Sequence, residues 1–581
     1  MSHLKFKLTS VAALVLSATS ANAALYQIIE VEPVGVSLTD TTEVYGEAIQ
    51  PVSNLETVDE LGSLGCFDTS ADAGVCESYL VAGDTRDGIE GVSFREEVAF
   101  SLDNSFYYIQ TDDGDDYFES YCYRYLGYST CEDSWAPEQW SGFSLERNDE
   151  TVAQAFIEGD DNAFDNSYNT VINSLTVEGK AAGNMRTGAS SQSDFQDNRN
   201  EAFSPVPLPE QLPDDYDYQS RAWFTDGTFT VGSVSKKYTN DNGNSYLSKA
   251  AIWSETDIHT FDWTASREKD GDQLSQSSLR SLKQKNEKIY AVGYDTYYAD
   301  SNLNMNASIF VSDSTELDGA VWSTLPINGV QIDSDRIYAN SVATDINSNL
   351  VVLGQAKHYN DRNPENGAYP DKIFVADYTG NNSSSDTWSS VKFLNSMGQS
   401  IFFNGAGGKA GAINNFNEIV GQIDSQQNRE ENGKQRRRRG FIYPYDPVVS
   451  DRADIFQNKA WLLDDLTNGG EYSDANNHYR IYDATDINDA GVISATALKC
   501  TNSSGESLSY DSTDHNSYCN GGVGNTEKLV AVKLVPIPQA DSSSDEGIVP
   551  RDYINESAER QGAGLGWLAL TFLGWISFRR K

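Results

Sequence analysis

Hydrophobic positions in this chain come in short runs broken by Asn, Asp and Gly, and one arrangement recurs. An apolar residue is followed by two others, a second apolar residue and a polar corner; an apolar pair then ends at a small residue. The clearest copies are Ala343-Thr344-Asp345-Ile346-Asn347, which runs to Gly354, Ala410-Gly411-Ala412-Ile413-Asn414, which runs to Gly421, and Ala484-Thr485-Asp486-Ile487-Asn488, which runs to Ala495. In each copy the Asn stands seven positions before the closing residue. Short apolar runs bounded by turn formers predict strand, tight turn, strand. Weaker copies come earlier, at 172–183, at 224–232 with Asp226-Gly227 as the turn, and at 282–293, where Lys285 stands in an apolar position.

Between the hairpins lies a second signal of short apolar-aromatic runs: Ala250-Ala251-Ile252-Trp253, Ser308-Ile309-Phe310-Val311, Lys372-Ile373-Phe374-Val375 and Gly440-Phe441-Ile442-Tyr443. Trp-bearing segments follow, at Trp263, Trp322, Trp388 and Trp461, and read as a further strand. Two strands per hairpin plus these two make four per unit, which is one propeller blade. The predicted fold class is all-β: a β-propeller of six or seven blades with irregular N-terminal insertions. The closing Gly354 and Gly421 permit close strand approach. Asn347, Asn414 and Asn488 are expected to bond backbone within their own blade, with Asn and Gly supplying positive φ at the turn.

The segment 25–31, Leu-Tyr-Gln-Ile-Ile-Glu-Val, reads as a strand that completes the blade formed by 528–534. Residues 24–169 read as an irregular β region, either a blade with insertions at the start of the ring or a small inserted module, in which Val92-Ser93-Phe94 and 105–109 also read as strands. The repeat blades occupy 170–535, a solvated acidic stalk 536–561 and a membrane-spanning tail 562–581.

The repeat, Ala-x-x-Ile-Asn to Val-Gly followed by Gly-Phe-x-Tyr, resembles the HAF-type repeats of bacterial extracellular proteins. That resemblance implies export and a repeat architecture, and no activity. Residues 1–23 read as a secretory signal, with Lys5 and Lys7 before an apolar run and Ala21-Asn22-Ala23 as the cleavage pattern. Signal peptidase is therefore an expected partner, cutting after Ala23. The C-terminal Gly562-Ala563-Gly564, the apolar run behind it and Arg579-Arg580-Lys581 resemble a GlyGly-CTERM sorting tail. The resemblance implies a rhomboid-like intramembrane protease cutting near Gly562 or Gly564, so the membrane anchor is transient and the product belongs to the cell envelope or exterior.

Six cysteines fall in three local pairs, each bracketing a short polar loop. In an oxidising compartment the expected disulfides are Cys66-Cys76, Cys122-Cys131 and Cys500-Cys519. The formal net charge of −44 argues against nucleic acid as a partner, since phosphates call for a basic footprint. It also attracts divalent cations, and Asp112, Asp113, Asp115 and Asp116 are candidate calcium ligands, with Asp160-Asp161 and Asp241-Asn242 behind them. Against this background Arg436-Arg437-Arg438-Arg439 reads as an exposed loop that docks on the protein's own acidic surface or on an acidic polymer. The five histidines are scattered. No G-x-S-x-G elbow, H-E-x-x-H or P-loop is present, so no catalytic residue is assigned. The sequence points to a binding or structural role at the bacterial envelope. An extracellular hydrolase acting on polysaccharide or peptide and a calcium-stabilised adhesin are the alternatives.

Overall fold

The structure, a computed structural model, describes residues 24–53, 62–87, 114–128, 130–132, 135–188, 201–213, 215–240, 243–271, 273–299, 301–330, 340–357, 365, 369–380, 386–427, 436–510, 515, 517–538 and 548–551. It is an all-β, seven-bladed propeller. Blade 1 is built from Thr42–Ile49, Val81–Asp87 and Ala153–Ile157, and blade 2 from Thr170–Leu175, Ala181–Met185 and Glu201–Phe203. Blade 3 runs through Gln219–Thr225, Thr230–Asn240, Gly243–Trp253 and Ile258–Thr260, and blade 4 through Ser278–Lys285, Lys288–Ala299, Asn302–Ser312 and Trp322–Pro326. Blade 5 contains Ser341–Ile346, Val352–Ala356, Lys372–Ala376 and Lys392–Phe393; blade 6 contains Gly408–Ile413, Glu418–Asp424, Arg438–Pro444 and Trp461–Leu462. Blade 7 joins Tyr479–Ile487, Ile493–Asn502 and Asn525–Pro536 to the N-terminal strand Tyr26–Glu30. The first strand of each blade is innermost, and these strands pack on one another in a closed ring that returns from blade 7 to blade 1.

The expected closure is present. Tyr26 pairs with Pro536 and Glu30 with Val532, antiparallel, so the two ends of the chain share one sheet. The irregular N-terminal region supplies blade 1. Its second and third strands are separated by an insertion carrying the helices Gly114–Tyr121 and Trp135–Asn148. The three disulfides form as expected, with Cα–Cα separations of 6.0, 6.0 and 5.5 Å. Such bonds suit an exported protein.

Period-two patterning explains the core. Both faces of each blade are buried, so adjacent apolar residues on one strand serve opposite seams. Val352 packs toward blade 4 with Tyr290 and Val292, whereas Leu353 packs toward blade 6 with Ala410 and Phe441. Val420 joins the seam with blade 7 while its neighbour Ile419 joins the seam with blade 5. One apolar cluster fills each of the other four seams as well.

Every blade carries a β-bulge in its innermost strand, and the closing residue of the repeat stands opposite it. Ala343 pairs with Gly354 and the register then slips at Thr344; Ala410 pairs with Gly421 and Ala484 with Ala495 in the same way. The bulge pushes a carbonyl toward the facing strand. A Cβ on Gly354 would lie 2.4 Å from Val342 O and 2.4 Å from the Phe374 ring. Gly83 holds the corresponding place in blade 1, a copy the repeat pattern did not reveal.

Three expectations need correction. Trp263 lies beyond the strand Ile258–Thr260, its indole donating to Ser248 O at 2.8 Å, and Trp388 forms only an isolated bridge to Tyr378. In blade 5 the fourth strand is instead the short Lys392–Phe393, because the Trp388 indole is turned inward to Leu350 O. Gly179, Gly227, Asn417 and Gly491 supply the positive φ expected of Asn and Gly at the turns of blades 2, 3, 6 and 7, but in blade 5 it falls on Leu350, at +60°. Finally, part of the segment expected as a solvated stalk is docked: Arg551 N donates to Asp465 Oδ1 at 2.6 Å and its guanidinium to Asn477 Oδ1 at 2.9 Å. Buried acceptors on blade 7 and its approach loop hold what composition alone assigned to solvent.

Among the described residues no helix is long and apolar enough to cross a membrane. Ala23, the strands read at 92–94 and 105–109, Gly562, Gly564 and the tail 562–581 lie outside the described residues.

Candidate functional site: the central channel

The seven innermost strands surround a channel of about 940 Å³. In every blade a bulge brings a residue of the innermost strand to its wall. The residues skipped by the strand register include Glu47, Asn173, Trp223, Arg280, Thr344, Gly411 and Thr485, one drawn from each blade, and these seven line the channel. A regular strand would direct alternate residues into the two seams; the bulge re-aims a side chain toward the axis.

The residue after the bulge ties one blade to the next. Asp345 accepts from its own Ile346 N at 2.8 Å, from Ser281 Oγ of blade 4 at 2.7 Å, and from Ile413 N of blade 6 at 2.9 Å. Asp486 accepts from Ile487 N at 2.8 Å and from Ile49 N of blade 1 at 3.0 Å. Ser174 Oγ accepts from Thr225 N of blade 3 at 3.2 Å. Burial raises the pKa of Asp345, and burial together with the charge on Asp345 pushes Asp486 up to about 7. The N–H donors oppose that shift without cancelling it.

At the hairpin end of the channel the repeat asparagines continue the relay. Asn347 Oδ1 accepts from Asn349 N and Val351 N within its own blade, while Nδ2 donates to Asn414 O of blade 6 at 2.8 Å. Asn414 donates in turn to Asn488 O at 3.2 Å, and Asn488 to Gln50 O at 3.1 Å. The expectation of bonds within one blade holds for the acceptor half of each amide. The donor half crosses to the next blade. The spacing of 67 residues from Asn347 to Asn414 and 74 from Asn414 to Asn488 is the signal for this relay, because each donor reaches the backbone of its own homologue.

At the opposite end cationic side chains gather. Arg436 NH1 lies 3.1 Å and Arg438 Nε 3.7 Å from the shared Asp424. Lys409 stands 3.3 Å from Asp483 and Lys357 3.9 Å from Asp371. The arginine run is therefore no exposed loop. It leads into the third strand of blade 6, and strand alternation divides it: Arg436 and Arg438 face the channel, whereas Arg437 lies over the Tyr518 ring and Arg439 pairs with Asp464 at 3.1 Å. Its docking on the protein's own carboxylates holds. Deeper in the wall, Arg280 lies 3.5 Å above the Trp223 ring and Lys283 lies 5.5 Å from the Phe224 ring. Leu126, Tyr128 and Gln139 of the helical insertion also line the channel, with Tyr369 N donating to Leu126 O at 2.9 Å. This insertion carries the Cys122–Cys131 disulfide and is pinned by the buried Arg86–Glu146 pair at 2.7 Å.

No histidine or cysteine lines the channel among the described residues. His259 stacks on Trp322 and His515 pairs with Asp465 at 2.9 Å, both away from it. Of the candidate calcium ligands, Asp112, Asp113, Asp241 and Asn242 lie outside the described residues. Asp115 and Asp116 fall on the helix Gly114–Tyr121, Asp116 being exposed. Asp160 and Asp161 sit in an exposed turn, where Asp160 accepts from Asn162 N. Among the described residues no group of three His, Cys, Asp or Glu side chains is placed to hold a metal.

Fold and site define a disulfide-bonded seven-bladed propeller with an axial channel of about 940 Å³ lined by both polar and apolar residues. By sequence the chain belongs to the family described as "Protein of unknown function (DUF3466)", whose model matches residues 230–581, from the second strand of blade 3 to the C-terminus. Comparison with curated proteins finds no match. Among solved structures, one titled "Glycoside hydrolase" is 12% identical, covers 58% of this chain and 91% of its own, with a TM-score of 0.25. The sucrose-6-phosphate hydrolase of Lactobacillus gasseri is 10% identical, covering 62% and 77%, with a TM-score of 0.23. The Bombyx mori GH32 β-fructofuranosidase BmSUC1 is 9% identical, covering 64% and 82%, with a TM-score of 0.22. Similarity this loose transfers no residue and no activity.

Proposed function

We propose that this protein is an exported binding module of the bacterial envelope whose channel holds a polyhydroxylated solute of the saccharide class. The observation that carries this reading is the bulge ring. Five of the bulges bring Glu47, Asn173, Trp223, Arg280 and Thr344 to the wall of a channel whose volume, about 940 Å³, suits a small ligand. Such a wall offers hydroxyl groups both donors and acceptors beside an aromatic ring. The reading calls for delivery outside the cell, by cleavage after Ala23 and release of the tail near Gly562 or Gly564, which intact-mass analysis of the secreted product checks. For the ligand, the test is a glycan array followed by calorimetry on the best hit. Trp223→Ala is expected to weaken binding at least tenfold with the fold intact by circular dichroism. Retention of no glycan by the wild type, or full binding by Trp223→Ala, refutes it.

One observation favours a second reading, hydrolysis. Asp345 and Asp486 are channel carboxylates with raised pKa values, the property a general acid needs. Both already accept bonds that join blades, so the binding reading accounts for them without chemistry. Release of reducing ends from an extracellular polysaccharide by the wild type, abolished in Asp486→Asn, would favour the enzyme.

A further inference from the structure

The two ends of the channel are built differently. At the hairpin end the rim is exposed: Asp226 and Gln284 both line the channel, reach solvent, and hydrogen-bond across blades 3 and 4 at 2.8 Å. At the opposite end the helical insertion of blade 1 crosses the ring. Its root is pinned beside blades 1 and 2, where the Glu146 carboxylate pairs with Arg86 at 2.7 Å and Glu146 O accepts from Arg186 at 2.8 Å. Its tip reaches the far side of the ring, where Leu126 O accepts from Tyr369 N on the connection between the second and third strands of blade 5. Between these anchors Leu126, Tyr128 and Gln139 line the channel. Phe118, Trp135 and the Cys122–Cys131 disulfide give the insertion a small core of its own, so it spans the opening as a packed unit. Loops of blades 5 and 6 are tied into the same end, since Arg436 donates to Gly405 O at 2.6 Å and to Glu365 O at 3.3 Å. Side chains there are withdrawn from solvent, Lys357 to 1% and Arg436 to 4% exposure.

We infer that the channel is a blind pocket that receives the end of a saccharide chain, which enters at the hairpin rim and stops against the insertion. This inference deepens the saccharide reading above and rests on it. The innermost strands form a closed ring, so no chain can be laid in sideways. A polymer must enter end first, and the insertion keeps it from threading through. Only the last units of a chain, or a short oligosaccharide, then meet the Trp223 ring and the polar wall. The terminal unit lies against Tyr128 and Gln139 of the insertion, and the units behind it against the bulge residues. A pocket closed at one end also covers most of a small ligand's surface, as binding sites of this size do.

The test uses the full exported chain and has two arms. In the first, a single cysteine is placed at the rim, Gln284→Cys, or near the insertion, Lys409→Cys, the six native cysteines being paired. Gln284→Cys is expected to react with a maleimide carried on a long polyethylene-glycol chain, and Lys409→Cys to react with it only after unfolding in urea. Reaction of both in the folded protein shows an opening at the far end and overturns the blind pocket. Should Lys409→Cys fail to fold, Asp371→Cys takes its place. In the second arm a glycan array carries each oligosaccharide twice, coupled to the surface through one end or through the other. Retention is expected for one coupling only, the one that leaves the recognised end exposed, and Gln139→Ala should weaken it about fivefold, the worth of one hydrogen bond. Equal retention of both couplings overturns chain-end recognition and leaves the saccharide reading standing. Retention of no oligosaccharide removes the saccharide reading, and the chain-end inference with it, whatever the labelling shows.

Discussion

The N-terminal strand closes the ring, and removing it should open the propeller. A protein beginning at Pro33 lacks Tyr26–Glu30 and with it the outer edge of blade 7. Leu25, Tyr26, Ile28 and Val31 are all buried, and Tyr26 meets Phe67 edge-on at 5.5 Å between ring centroids. Burial of such side chains is worth about 2 kcal/mol each, roughly 8 kcal/mol together. About eight hydrogen bonds beyond the strand pairing are lost as well, including Leu25 N to Leu466 O, Ile28 N to Asn476 Oδ1 and Val31 N to Ala531 O, at about 1 kcal/mol each. Against this, removing the nine residues 24–32 spares on the order of 12 kcal/mol of backbone ordering entropy. The expected net loss is about 4 kcal/mol, a large part of the stability of a protein domain. Urea denaturation followed by tryptophan fluorescence measures it, and a synthetic peptide covering 24–32 should restore the midpoint when added in excess. An unchanged midpoint in the shortened protein, or no rescue by the peptide, would refute the reasoning.

Asn414→Ala removes the acceptor for Phe416 N and Glu418 N and the donor to Asn488 O, so a loss of about 3 kcal/mol is expected by chemical denaturation. Gly354→Ala places a methyl group 2.4 Å from backbone and ring atoms, and its melting temperature should fall by an amount equivalent to about 2 kcal/mol or more. Breaking the buried Glu418–Arg452 pair, 2.7 Å apart, with Arg452→Met leaves a buried carboxylate without its cation and should cost about 4 kcal/mol by urea titration. For Asp486 the folded pKa, about 7, lies above the ordinary carboxylate value. The native state therefore keeps a proton that the unfolded state gives up, and this stabilising contribution is lost as pH rises from about 4 through 7. Asp486→Asn mimics the neutral acid, so the variant should gain on the wild type between pH 4.5 and pH 7.5 in thermal melts; parallel pH profiles would contradict the shift.

The propeller was legible because its repeat is local: the hairpin, the apolar pair and the small closing residue lie within about a dozen positions, and Ala343 to Gly354 displays all three. Closure was legible from the composition of the first strand. Blade 1 was hidden, since Gly83 and Phe156 belong to strands that a helical insertion separates. The seventh blade could not be counted for that reason. The channel was not legible. Arg280, Trp223 and Lys283 lie on different blades or at unremarkable positions in weak copies of the repeat, and their juxtaposition depends on bulges that no single strand announces. Lys285 shows how a departure from pattern can mislead: its ammonium donates to Ser348 O of the next blade, so a polar residue does the joining expected of an apolar one.

One local defect links stability to function in this fold. Without the bulge, Thr344 and Arg280 would follow strand alternation into seams already filled by Ala343, Ile346, Leu279 and Leu282. The slip lets the strand bury apolar residues on both faces and still present a polar side chain to the axis. It also creates the carbonyl approach that excludes a side chain at Gly354 and Gly421. The closing glycine is thus the sequence trace of a channel-facing residue about ten positions earlier in the weak and strong copies alike. Substituting the ring residues should alter what the channel binds with little change in stability, whereas substituting the glycines should unfold a blade. The two sets are adjacent in every hairpin, and the contrast between them separates recognition from architecture.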